Sequence, residues 1–150
     1  MKNFSTITDA VVEQLKNWLN VNGSASNYRV KNSVYVNHNP DLTPWIGVYR
    51  GPVTYTPHTI GKSLSNWQGT LKLRILVQAY SAKSGAEAEE RSEAYVNEVL
   101  DGLLSDYQLG GTVETLDNIT VDYAYLETDS ETLFYHQAEI TVDLVVRSGT

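Results

Sequence analysis

The stretch Thr70-Leu71-Lys72-Leu73-Arg74-Ile75-Leu76-Val77-Gln78-Ala79-Tyr80 decides how the rest of the chain is read. Successive side chains of a β-strand point to opposite faces, so Leu71, Leu73, Ile75, Val77 and Ala79 share one face and Lys72, Arg74, Gln78 and Tyr80 the other. This is the signature of a half-buried strand, and it predicts a sheet with one solvated face.

Toward the C-terminus the period changes from 2 to 3.6. Ser84-Gly85-Ala86-Glu87 has capping-box spacing and starts a helix. Ala88, Tyr95, Val96, Val99, Leu100, Leu103 and Leu104 form its apolar side, and Glu87, Glu89, Glu90, Glu93 and Glu98 populate the rest. The helix stops between Asp106 and Gly111, with Gly110-Gly111 as the turn. Two alternating runs follow, Ile119–Leu126 and Phe134–Arg147, around the polar loop Glu127-Thr128-Asp129-Ser130-Glu131-Thr132. Together they read as an antiparallel hairpin.

Toward the N-terminus, the 19 residues Gly51–Gly69 contain Pro52, Pro57 and Gly61. So long a connection in a compact domain calls for a role, so Val53–Thr56 and Trp67 are expected in a protruding hairpin or arm. Trp45–Arg50 reads as a strand, and Tyr28–Val36 contains strand-like material at Val34, Tyr35 and Val36. Val11, Val12, Leu15, Trp18 and Leu19 make the apolar stripe of a first helix. Thr6 or Thr8 is the expected N-cap, Asp9 belongs in the first turn, and Asn22-Gly23 is the stop. The fold class expected is α+β: a mainly antiparallel sheet, two helices on one face, and a protruding loop or hairpin arm at about residues 51–69.

The chain's 150 residues predict one domain, spanning residues 1–150, and fifteen aromatic residues supply material for its core. There is no Cys, which removes disulfides, thiolate nucleophiles and thiolate metal sites. Met1–Asp9 has no apolar run that would serve as a secretory signal, so a cytoplasmic origin without a membrane is expected. Charge is polarised along the chain. Residues 1–83 carry nine Lys and Arg against three Asp and Glu; residues 84–150 carry two against fifteen, and the net is −7. An acidic protein is a poor sequence-independent binder of phosphate backbones.

Candidate chemistry is sparse. Gly61-Lys62-Ser63 resembles the end of a phosphate loop, but the glycine needed five residues before Gly61 is Thr56, so a turn in the arm is the better reading. His38, His58 and His136 share no ligand spacing, and His136 falls in an inward row where a hydrogen-bonded structural histidine is expected. The helical glutamates lack a His or Lys partner at useful spacing. Asp129 and Glu131 lack the glycine pattern of a calcium loop, and Asn118-Ile119-Thr120 is a glycosylation acceptor only in a secreted protein. No nucleophile, base and oxyanion donor assemble, so no enzyme, cofactor or metal is expected.

The order of these elements resembles a known family. The helix Asp9–Leu19 leads to Val34–Val36; Pro44-Trp45-Ile46-Gly47-Val48-Tyr49 looks like an edge strand and Gly51–Trp67 like an extended arm. Leu71–Ser81 then runs straight into the acidic helix Gly85–Leu104 and the closing hairpin. In this the chain is similar to the tail terminator, or tail completion, proteins of long-tailed, lambda-like bacteriophages, across nearly its whole length.

The resemblance implies a structural virion protein, usually a hexameric ring, that caps the head-proximal end of the tail tube. Such a ring stops tube polymerisation, offers a docking surface to the neck or head-completion protein, and lets DNA pass without specific binding. It also implies assembly in the host cytoplasm and a final location in the tail or neck of the virion. On this reading Arg50, just before the arm, and Tyr55, His58, Lys62 and Trp67 within it are interface candidates, because aromatic residues make strong contacts at low entropic cost. Glu127, Asp129 and Glu131 are candidates for an acidic lumen or a subunit contact. Other readings are another neck or tail-tube component of related fold, a small non-enzymatic α+β binding module and, last, a hydrolase built on Glu or His.

Overall fold

A computed structural model describes residues 4–25, 28–32, 43–57, 67–111, 113, 115–126 and 134–147. The decisive strand, β3 (Trp67–Ser81), lies at the centre of a five-stranded sheet. It pairs antiparallel with β2 (Trp45–Pro57) on one side and β5 (Phe134–Arg147) on the other. Outside these lie β1 (Arg29–Lys31), parallel to β2, and β4 (Thr115–Leu126), antiparallel to β5. The order is β1-β2-β3-β5-β4, and the α+β class follows from it.

Alternation fixes the inner face. Leu71, Leu73, Ile75, Val77 and Ala79 of β3 are fully buried, as are Ala138, Ile140, Val142, Leu144 and Val146 of β5. Each large aliphatic side chain so buried contributes about 1.5–3 kcal/mol of transfer free energy. Helix α1 (Phe4–Asn22) lies against β1 and β2, and α2 (Gly85–Leu104) against β3 and β5, so both cover the inner face.

The helices meet at Gly102. A Cβ there would come within 3.1 Å of Leu15 Cδ2, so the absent side chain is what lets α1 and α2 approach. Gln14 reaches across and donates from Nε2 to the carbonyls of Gly102 (3.0 Å), Leu103 (3.1 Å) and Asp106 (3.1 Å). It thereby satisfies carbonyls that the end of a helix leaves unpaired.

Several boundaries differ from the sequence reading. Phe4 and Ile7 extend the Val11 stripe, so α1 starts at Phe4 and runs past both proposed caps. Thr8 instead donates to Ser5 O at 3.0 Å, and Asp9, inside the helix, accepts from Asn32. The first strand is Arg29–Lys31; Val34, Tyr35 and Val36 lie outside the described residues. β2 does not stop at Arg50. A register shift between Arg50 and Val53 takes Gly51 and Pro52 out of the ladder, and pairing resumes to Pro57↔Trp67, so the base of the expected arm is a continuation of the β2–β3 hairpin. A bulge is where a strand tolerates proline, which has no N–H to give. β4 likewise begins at Thr115, with Asp117 and Asn118 in a second shift.

On α2 the cap holds: Glu87 N donates to Ser84 Oγ at 3.1 Å. The reciprocal half of the box does not form, because the Glu87 carboxylate accepts from Ser81 Oγ (3.0 Å) and Arg91 (2.7 Å). Leu104, expected inside, is 55% exposed. Gln78, expected on the solvated face, is fully buried, and Leu76 beside it is nearly so. The outer face is therefore only partly solvated.

Candidate assembly interface

Among the sequence-predicted site residues, the structure describes three. Arg50 is exposed at the last paired position before the β2 bulge. Next to it, a Cβ on Gly51 would lie 2.7 Å from the Lys72 carbonyl, so this bend requires a residue without a side chain. Tyr55 sits three residues beyond Pro52 on the inner side of the hairpin. Its ring packs 6.2 Å from that of Phe4 and it remains 40% exposed, so it is tied to α1 rather than free in a detached arm. Trp67 opens β3 opposite Pro57. His58 and Lys62 of the arm, and the acidic trio Glu127, Asp129 and Glu131, lie outside the described residues. Among the described residues, Arg50, Tyr55 and Trp67 are not brought together into one cluster.

The feature that reading missed is spatial. Strand order places β1, β2 and β3, with the basic half of the sequence, on one side of the sheet and β5 and β4, with the acidic half, on the other. The two halves meet at the β3–β5 seam, where Lys72 pairs with Asp143 (3.1 Å) and Arg74 with Glu139 (3.8 Å). Tyr49 Oη donates to Glu139 at 2.8 Å; burial and then this carboxylate raise the Tyr49 phenol above its ordinary pKa. Away from the seam the charges stand apart. On the strands, Lys31 and Arg50 are exposed in β1 and β2 and Asp117 and Asp122 in β4, with Glu93 of α2 acting on Tyr123 of β4; α1, which packs on β1 and β2, adds the exposed Lys16 together with the acids Asp9 and Glu13. The linear charge asymmetry was visible in the sequence, but its direction across the molecule needed the strand order.

Three other features stand out. Tyr28 Oη, beside α1, donates to Glu98 of α2 and accepts from Ser24 N (3.1 Å) and Ala25 N (3.3 Å). Burial and then the Glu98 carboxylate raise its pKa. On the inner face His136 is buried against the Tyr123 ring (6.1 Å); among the described residues neither its Nδ1 nor Ser92 Oγ has a hydrogen-bond partner. The hydrogen bond expected for this histidine is therefore not found at Nδ1 among the described residues. A groove of about 610 Å³ runs between the C-terminal turns of the helices, between Trp18 and Val21 on one wall and Asp106 and Leu109 on the other.

Among the described residues no group of three or more His, Asp or Glu side chains is placed to hold a metal ion, and no helix is long and apolar enough to cross a membrane. No protein-family model matches the chain, and no curated protein matches it either.

Proposed function

We propose that the protein is a non-enzymatic ring subunit of a bacteriophage tail, a tail terminator that caps the head-proximal end of the tube, halts its polymerisation and presents a surface to the neck protein. The observation that carries the reading is the division of exposed charge between the two sides of one sheet. A ring is built from heterologous contacts, in which one patch of a subunit meets a different patch of the next, and a sheet whose strands are basic on one side and acidic on the other supplies such a pair. The β2–β3 hairpin, continued past its bulge to Pro57↔Trp67, adds a second element that extends beyond the covered part of the sheet. In this role the virion holds the protein at its neck, assembly takes place in the host cytoplasm, and DNA traverses an acidic channel that repels it.

Light scattering of the purified protein, alone and with its tube protein, tests the reading. A closed ring, six copies by the resemblance, is expected; a monomer under both conditions would overturn it. Removal of Thr54–Lys62 tests the hairpin separately, since a ring of unchanged mass would deny the arm a part in the contact. Polymerisation into long tubes would identify a tube subunit instead.

A further inference from the structure

The two outermost described strands are complementary in direction, charge and facing. β1 is parallel to β2, and each following neighbour in the sheet is antiparallel to the last, so β1 and β4 run in opposite directions at opposite edges. A copy displaced along the sheet, with strand directions and helix side preserved, therefore brings its β1 against β4 in antiparallel orientation. The side chains match as well. In β1, Val30 points inward beside Ile46, and Arg29 and Lys31 point to the outer face. In β4, Val121 lies on the inner face across from Ile140, and Thr120 and Asp122 occupy the outer face across from Thr141 and Glu139. None of Arg29, Lys31 and Asp122 has an ion-pair partner among the described residues.

We propose that the subunit contact is β-strand addition between two copies of this chain: β1 of one copy adds to the β4 edge of the next and continues the sheet across the boundary. The inference rests on the ring reading above and names its contact. An antiparallel pairing that sets Val30 opposite Val121 puts Arg29 opposite Asp122 and Lys31 opposite Thr120; a shift of two residues puts Lys31 opposite Asp122. Either register places a base against the acid and extends the apolar inner row. The alternative pairings are self-defeating. An antiparallel β1–β1 pairing about a two-fold axis at Val30 would set Arg29 against Lys31 of the other copy, and a β4–β4 pairing with the axis at Asp122 would set that acid against itself. Charge thus selects the heterologous contact, and a heterologous contact that closes is a ring. It also explains what covers a long edge strand that would otherwise template uncontrolled association.

Two measurements on the full chain test this. The chain has no cysteine, so Lys31→Cys combined with Asp122→Cys or with Thr120→Cys reports without background: oxidation is expected to give a reducible ladder of covalent oligomers for at least one pair. Asp122→Arg is expected to lower the assembled fraction at least tenfold by light scattering, and Lys31→Asp with Arg29→Asp to restore it in the same chain. Circular dichroism of each variant separates loss of assembly from loss of folding. A wild-type ring that gives no ladder and ignores Asp122→Arg would overturn the strand-addition contact and leave the ring reading standing. A wild-type monomer would overturn both.

Discussion

Tyr28 shows what one hydroxyl does in this fold. Its oxygen is shared by the Glu98 carboxylate and the amides of Ser24 and Ala25, so it ties the turn after α1 to the middle of α2. Replacing it with Phe removes the Glu98 carboxylate's phenol donor and the acceptor of Ala25 N, while Ser24 N keeps its bond to Glu98 Oε1 (3.0 Å), and should cost about 1–2 kcal/mol in urea unfolding. The pH dependence has a definite sign. Because burial and Glu98 raise the Tyr28 pKa in the folded protein, the folded state holds this proton more tightly than the unfolded chain does. The contribution is complete below the ordinary tyrosine value of about 10 and is lost as pH rises through the raised folded value. Tyr28→Phe should therefore flatten part of the alkaline fall in stability, which a urea series between neutral and strongly alkaline pH would measure. None of this was legible in the sequence. Tyr28 and Glu98 are far apart in the chain, and only the docking of α2 on the sheet brings them into contact. Alternation alone places His136 on the inward row, but the lack of a partner for its Nδ1 among the described residues depends on neighbours that alternation does not specify.

At the scale of elements, the well-read segments are those whose periodicity is uninterrupted. The inner rows of β3 (Leu71 to Ala79) and β5 (Ala138 to Val146) run without a break, and α2 carries its cap at Ser84; all three elements lie where the pattern put them. The misread ones contain a local exception that tertiary structure absorbs. Pro52 and the Asp117-Asn118 pair look like strand terminators, yet each is accommodated in a bulge, and β2 and β4 run through them. Gly51→Ala should be costly for this reason: the new Cβ meets the Lys72 carbonyl, a backbone atom that cannot swing aside. We expect a loss of about 1–3 kcal/mol and faster amide exchange at Thr54 and Tyr55, read by hydrogen exchange. Ser84→Ala, which removes the oxygen that Glu87 N donates to, should cost about 1 kcal/mol in thermal or urea unfolding.

At the scale of the whole molecule, the dominant property is its charge gradient across the sheet, from Lys31 at one edge to Asp122 at the other. If that gradient orients subunits, raised salt must weaken assembly, because screening shortens from about 10 Å at 0.1 M to about 3 Å at 1 M. Light scattering across that range should show dissociation while circular dichroism shows intact subunits; assembly indifferent to salt would contradict it. The position of β5 adds a constraint of timing. Ser81 of β3 pairs with Phe134 of β5 across the whole of α2 and β4, and β4 has no described strand neighbour except β5. On a ribosome β4 emerges before the strand it must pair with, so the acidic edge does not exist until the last strand of the sheet has been made and inserted. On the proposed contact, nascent chains translated side by side on one message would thereby be kept from joining until β5 has been made, and a chain cut short before Phe134 would be excluded from assembly by its own missing scaffold.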